Sequence, residues 1–227
     1  MKIRFLRTST ALLIVSLALM GCQKQDHAYK DYVEGGERIY IGKVDEIVVM
    51  PGKSRVGLEW SVSDPRVKSI KIKYNEELDS VILDLNKSLE VDKMETIISD
   101  LDERIYTFSI YALDENGNQS VAQRVDGRSY GESYRQTLSN RGVNKITKSG
   151  NNITVTWFSG NAQMVETEIV YTDFSSGTEV TLTLAANQSS IVLNNADESK
   201  GFAWRTVYKP SPLSLDVFYT DFSLQGL

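Results

Sequence analysis

The sequence predicts an all-β chain of two tandem β-sandwiches, and three observations carry that expectation. Short segments alternate apolar and polar residues with the period of two that a half-buried strand requires. They are separated by turn signals such as Pro51-Gly52-Lys53, Asp64-Pro65, Glu115-Asn116-Gly117-Asn118 and Ser175-Ser176-Gly177. Finally, the apolar skeleton of one half falls on the other at a constant offset of 97 residues, through Val49/Ile146, Val56/Ile153, Leu58/Val155, Trp60/Trp157, Ile72/Ile169, Tyr74/Tyr171, Leu85/Leu182, Ile110/Val207 and Tyr111/Tyr208. The spacing repeats too, with 14 residues from tryptophan to the first tyrosine and 37 more to the second in each copy.

In chain order, residues 1–21 read as a secretory signal. Lys2, Arg4 and Arg7 make the positive start, and the apolar run from Ala11 to Met20 is too short for a spanning helix. Cys22, the one cysteine of the chain, follows Gly21 at the end of that run, where a bacterial lipobox places the residue that is acylated. Lipid attachment at Cys22 is expected, and with it a membrane anchor that needs no spanning segment. Cleavage before Cys22 leaves 227 − 21 = 206 residues and a balance of 22 − 30 = −8, because three cations and no anions are lost. Such an acidic chain without a basic cluster is not expected to bind nucleic acid.

Residues 22–42 are then a lipidated tether and an amino-terminal motif segment. Residues 43–128 form the first sandwich, with strands expected at Lys43 to Met50, Arg55 to Val62, Val67 to Tyr74, Ser80 to Leu85, Ile105 to Leu113 and Ser120 to Arg128. Residues 129–142 are a linker. Residues 143–227 form the second, degenerate sandwich, with strands expected at Asn144 to Lys148, Asn152 to Phe158, Glu166 to Thr172, Thr178 to Leu184, Ser190 to Leu193, Phe202 to Tyr208 and Ser214 to Thr220. Val56, Leu58 and Trp60 share one parity, as do Ile70, Ile72 and Tyr74, so each set faces one core.

Leu101, Tyr106, Phe108, Ile110 and Ala112, followed by Gly117 and Ser120 and preceded by Trp60, resemble the fibronectin type III pattern, which immunoglobulin-like sandwiches share in part. The second copy departs from it, with Ala203 at the place of the corner tyrosine Tyr106 and Arg205 at the place of Phe108. The segment Tyr29-Lys30-Asp31-Tyr32-Val33-Glu34-Gly35-Gly36-Glu37-Arg38-Ile39-Tyr40-Ile41-Gly42-Lys43-Val44-Asp45 resembles the opening motif of a family of uncharacterised Bacteroidota lipoproteins. Trp60, Asp64-Pro65-Arg66-Val67, Gly127-Arg128-Ser129-Tyr130-Gly131, Tyr134 and Leu138-Ser139-Asn140-Arg141 extend that resemblance. It implies a secreted, lipid-anchored protein, often encoded near SusC/SusD-type glycan-uptake systems, and it brings no catalytic residues; the expected place is the outer membrane, at the cell surface or the periplasmic face.

One His and one Cys exclude a histidine-dependent triad, a Cys–His pair and a zinc site of several Cys and His. Paired carboxylates remain chemically open, but no segment singles out a pair. No enzyme, cofactor or metal site is therefore expected. Asp114, Asn116 and Asn118 alternate as in a calcium loop, yet the glycine is misplaced and no closing Glu follows, so a hairpin turn is the reading.

The candidate ligand contacts are aromatic. Tyr29 and Tyr32, with Tyr40, Glu34, Glu37 and Arg38, either stack on sugar rings or pin the amino-terminal segment along the first sandwich. Trp204 and Tyr208 share one face of their strand; if Val207 faces inward as Ile110 does, they form an exposed platform for glycan. A slip of one residue would instead bury them and expose Arg205. The function expected is an accessory glycan-binding module of the envelope, and the alternative is a scaffold packed on another envelope protein.

Overall fold

The computed structural model describes residues 40–85 and 92–226, and of these the residues from Ile41 onward form one compact unit. Among the described residues fifteen strands, β1 (Asp45–Lys53), β2 (Arg55–Val62), β3 (Ser69–Tyr74), β4 (Asp79–Asp84), β5 (Asp92–Ser99), β6 (Ile105–Leu113), β7 (Gln123–Tyr130), β8 (Val143–Ser149), β9 (Asn152–Trp157), β10 (Met164–Thr172), β11 (Glu179–Ala185), β12 (Ser190–Leu193), β13 (Phe202–Tyr208), β14 (Phe218–Tyr219) and β15 (Ser223–Gln225), account for nearly all regular structure. The short helix α1 (Glu132–Thr137) lies between β7 and β8. The chain is all-β, as its alternation predicts.

In the first sandwich the antiparallel sheet β1-β2-β5 faces the antiparallel sheet β4-β3-β6-β7. The two become one continuous seven-stranded path because the end of β1 crosses over: Gly52 and Lys53 pair in parallel with Ser129 and Tyr130 of β7. The chain reverses after Pro51, whose partner Val56 closes the β1–β2 hairpin as the turn signal predicts, and Gly52 and Lys53 make the crossing within that reversal. Proline lacks only an N–H, and here its carbonyl is the group that is used. The second sandwich repeats the plan with β12-β9-β8 facing β11-β10-β13, and its last strand is split into β14 and β15, both paired with β13.

Each sandwich has its own core. Val56, Leu58, Trp60, Ile70, Ile72, Phe108 and Ile110 are fully buried in the first; Ile153, Val155, Ile169 and Leu193 anchor the second, where Trp157 packs edge-on against Phe202 and Trp204. Strand β5 has no counterpart among the strands expected from the sequence. Its buried or half-buried residues Met94 and Ile98 alternate with Lys93 and Glu95, but the charged flank masks a strand that pairs along the full length of β2.

The repeat holds where the register can be compared, and then breaks. Val49 stands opposite Leu58 and Ile146 opposite Val155, which keeps the offset at 97. Ile72, however, stands opposite Ile110, whereas Ile169 stands opposite Trp204, not Val207. From Ile110 to Trp204 is 94 positions, so the second copy is three residues shorter, net, between β10 and β13, even though its β10–β11 hairpin is longer: Val81 stands opposite Ile72 and Leu182 opposite Ile169, which replaces the pairing Leu85/Leu182 by Val81/Leu182. An odd net shortening reverses the parity of a strand. The pairings Ile110/Val207 and Tyr111/Tyr208 are therefore replaced by Phe108/Phe202 and Ile110/Trp204.

Amino-terminal to β1, Gly42 donates its N–H to Asp64 Oδ2 at 2.6 Å, and Arg66 grips the same carboxylate through its backbone N–H and guanidinium. A Cβ on Gly42 would lie 2.7 Å from Asp64 Cβ, so only glycine permits this approach. The Arg66 guanidinium holds the Asp64 carboxyl well below the usual carboxylate range.

Candidate ligand-binding surfaces

Of the residues singled out from the sequence, Cys22, Tyr29 and Tyr32 lie outside the described residues. Trp204 and Tyr208 do not form a platform. Trp204 is 8% exposed and Tyr208 4% exposed. The net shortening turns the aromatic face of β13 inward, where Trp204 donates Nε1–H to the Arg141 carbonyl at 3.0 Å and Tyr208 donates its hydroxyl to the Ser139 carbonyl at 2.7 Å. Both polar ends are satisfied by the linker, as buried Trp and Tyr require. The register-slip alternative is the one the structure bears out, including its consequence for Arg205.

Arg205 now points outward and organises the outer face of the second sandwich. Its Nε donates to Glu168 Oε2 at 2.6 Å, and its guanidinium carbon lies 4.3 Å from the Tyr219 ring centroid and 4.8 Å from that of Phe222. Tyr219, Phe222 and Leu224 are all exposed. Tyr219 and Phe222 are exposed aromatic groups of the second sandwich, as are Phe158 and Phe174, and of these the Arg205 pair was missed in the sequence because the split of β14 from β15 moves Phe222 into a connection.

The outer face of the first sandwich carries a concavity of about 450 Å³ between the β3–β4 turn and strands β6 and β7. Three consecutive residues of the turn, Asn75, Glu76 and Glu77, have left-handed φ of 52°, 57° and 65°. No glycine relieves them, and this backbone region is costly for side-chain-bearing residues. The run curls the turn over β6, so Ser109, which by alternation faces solvent, is only 3% exposed. Glu77 receives Lys73 Nζ at 3.2 Å and the Ser109 hydroxyl at 3.4 Å, with Arg124 at 3.9 Å. Lys73 above all holds the Glu77 carboxyl below its usual range. On the opposite wall Arg104 bonds the Asn75 side-chain oxygen, and its guanidinium lies 4.3 Å over the Tyr106 ring.

A third constellation joins the two sandwiches. The β13–β14 connection places Asp216 against the first sandwich, where its carboxylate accepts from Arg55 Nη2 at 2.6 Å, Arg55 Nε at 3.0 Å and the Lys53 backbone N–H at 2.7 Å. The neighbouring Leu215 N–H donates to the Pro51 carbonyl at 2.7 Å. Beside this clasp, Tyr134 of α1 packs between Tyr130 (4.7 Å) and Phe218 (5.0 Å). Glu103 caps the start of α1 by accepting from the Ser133 and Tyr134 N–H groups at 2.7 Å each. Asn140 stitches the β14–β15 gap, donating to the Asp221 carbonyl and the Ser223 hydroxyl and accepting from Thr220 at 2.5 Å. The linker residues that carry the family resemblance thus have structural partners.

The suspected calcium loop is a hairpin turn, as expected: Asp114 accepts the backbone N–H groups of Asn116 and Asn118 and the Asn118 side-chain amide.

A family model described as a domain of unknown function matches residues 22–218. No curated protein matches the chain. Among solved structures, a two-domain fibronectin type III segment of chicken tenascin is similar at 14% identity, covering 81% of this chain and 100% of that one with a TM-score of 0.31. The chicken CNTN1 FN1–FN3 domains match at 9% identity, covering 80% of this chain and 67% of that one at 0.39. The central fibronectin III array of RIM-binding protein matches at 13%, covering 82% and 71% at 0.31.

Proposed function

The chain belongs to the DUF4998 family, whose function is unknown, and from that premise we propose that it is a non-catalytic scaffold of the cell envelope, tethered through a lipid on Cys22, whose two sandwiches hold a bound envelope protein at a set distance from the membrane. The Asp216 clasp carries this reading. A tether between independent modules needs only a linker, whereas here a loop of the second sandwich is bonded into the first at four points. Such bonds fix the angle between modules, which is what a spacer requires and what a flexible pair of domains lacks.

The clasp can be tested directly. Spin labels placed on β4 and β11 are expected to give one narrow distance distribution, which Asp216→Ala broadens. Arg55 holds the Asp216 carboxyl below its ordinary range. A carboxylate depressed in the folded state stabilises fully above its unfolded pKa of about 3.9, and that contribution is lost as pH falls through the lower folded value. The distribution is therefore expected to stay narrow at neutral pH and to broaden only under acid. A broad distribution at neutral pH in the unaltered chain would sink the spacer reading.

A second reading is favoured by the Tyr219–Arg205–Phe222 group. Aromatic rings beside the carboxylates Glu168 and Asp221 suit a sugar, whose C–H face packs on the ring while its hydroxyls bond the acids. On this reading the protein is an accessory glycan-binding module of a SusC/SusD-type uptake system. A polysaccharide titration in which Tyr219→Ala weakens binding supports it, and binding that is indifferent to this substitution removes the surface from consideration.

A further inference from the structure

We propose that the concavity under the β3–β4 turn of the first sandwich is a saccharide subsite that takes a neutral sugar unit. The proposal rests on the glycan reading and gives it a second place in the fold, on a different sheet from Tyr219. Its volume, about 450 Å³, is within the range of roughly 300–1,000 Å³ usual for small-molecule sites.

The choice of ligand class follows from charge. Two carboxylates, Glu76 and Glu77, and two guanidiniums, Arg104 and Arg124, line the pocket, so its formal balance is zero. Glu77 is moreover already engaged by Lys73, Ser109 and Arg124, and Arg104 by Asn75. An ion of either sign therefore meets opposing charges and gains no net attraction, whereas a polyol both donates and accepts, so it can use the remaining lone pairs of the carboxylates and the remaining N–H groups of the guanidiniums together. Ile105, 60% exposed at the pocket wall, offers the apolar contact that the C–H face of a sugar needs.

The turn that roofs the pocket supports the same conclusion. Three left-handed residues without a glycine are an expensive way to join two strands, and strain of this kind is retained where the surrounding structure holds it for a purpose. Here the curl of the turn brings Glu77 over Ser109 and so builds one wall of the pocket.

The test uses the chain from residue 23 onward, which retains the whole compact unit, and follows backbone amide shifts during titration with neutral xylo-, manno-, cello- and galacto-oligosaccharides, with glucuronate and glycylglycine as ionic probes. Shifts are expected at residues 75–77, 104–109 and 124 with a neutral sugar. Affinity is expected to fall at least tenfold in Arg104→Ala and Arg124→Ala, and equally in Arg104→Lys, which keeps the charge but loses the planar fork. Tyr219→Ala should leave these shifts unchanged. Sugar binding that survives the arginine substitutions, or that disappears in Tyr219→Ala, overturns the pocket and leaves the glycan reading standing. Preference for glucuronate or glycylglycine overturns the ligand class, and no shift with any probe overturns both the pocket and the glycan reading. The arginines are exposed, and retained amide dispersion in each variant confirms that it folds.

Discussion

Trp204→Ala is expected to destabilise the second sandwich by about 3–5 kcal/mol, the usual cost of emptying a large aromatic site in a core. The substitution removes a ring packed 5.5 Å from Trp157 and 5.6 Å from Phe202, at the position opposite Ile169 in the centre of the sheet. It also leaves the Arg141 carbonyl without the Nε1–H that it accepts. For a domain of this size each kcal/mol is worth about 4–8 °C, so the melting of the second core should move by more than ten degrees. Heat-induced unfolding followed by circular dichroism measures this. An unchanged melting temperature together with lost glycan binding would mean that Trp204 is an exposed platform after all.

That one residue shows how far the sequence could be read. The alternation in β2 and β9 is legible because a two-residue period survives any local irregularity outside the strand, and the cross-strand partners Val49–Leu58 and Ile146–Val155 keep the offset that the sequence shows. The fate of β13 turned on a net shortening of three residues between β10 and β13, spread over more than one connection. Phe202, Trp204, Thr206 and Tyr208 satisfy one parity as well as Ala203, Arg205 and Val207 satisfy the other, and only the pairing with β10 decides between them. Strand β5 was hidden for a different reason, since its acidic flank reads as connection until β2 is seen to lack a neighbour.

The candidate sites were less legible than the fold. The left-handed run at Asn75–Glu77 has no glycine to announce it, because the strain is held by contacts with β6 and β7 that lie far along the chain. The Asp216–Arg55 pair spans 161 positions, and no local pattern marks either partner. By contrast, the motif residues Tyr130, Tyr134, Asn140 and Arg141 stood out in the sequence, but their partners show that they lock the linker.

Arg141 gives the second large expected effect. It is 4% exposed, its backbone N–H donates to Thr206 Oγ1 at 2.8 Å, and its carbonyl accepts from Trp204. Its guanidinium ties two connections of the second sandwich together through Nε to the Phe158 carbonyl at 2.7 Å and Nη2 to the Gln188 carbonyl at 2.8 Å. No carboxylate is among these partners, Nη1 is buried without a hydrogen-bonding group among the described residues, and burial pushes the guanidinium pKa down. Two charge-assisted bonds at about 1.5–3 kcal/mol each favour the folded state, and the desolvation of a buried cation opposes it by several kcal/mol. Truncation also empties the volume of the side chain, so Arg141→Ala is expected to cost about 2–4 kcal/mol. Arg141→Met separates the contributions, because it keeps the packing, removes the charge and leaves both carbonyls without donors. Chemical denaturation should place Met between Ala and the unaltered chain; a Met variant as stable as the unaltered chain would show that the two carbonyl bonds do no more than offset the burial of the charge. The carbonyl that accepts from Trp204 is backbone and stays in every Arg141 variant, so a double-substitution cycle with Trp204→Phe couples only through the guanidinium's hold on the linker; coupling of at least about 0.5 kcal/mol is expected, and additivity would mean that the guanidinium does not set the place of that carbonyl.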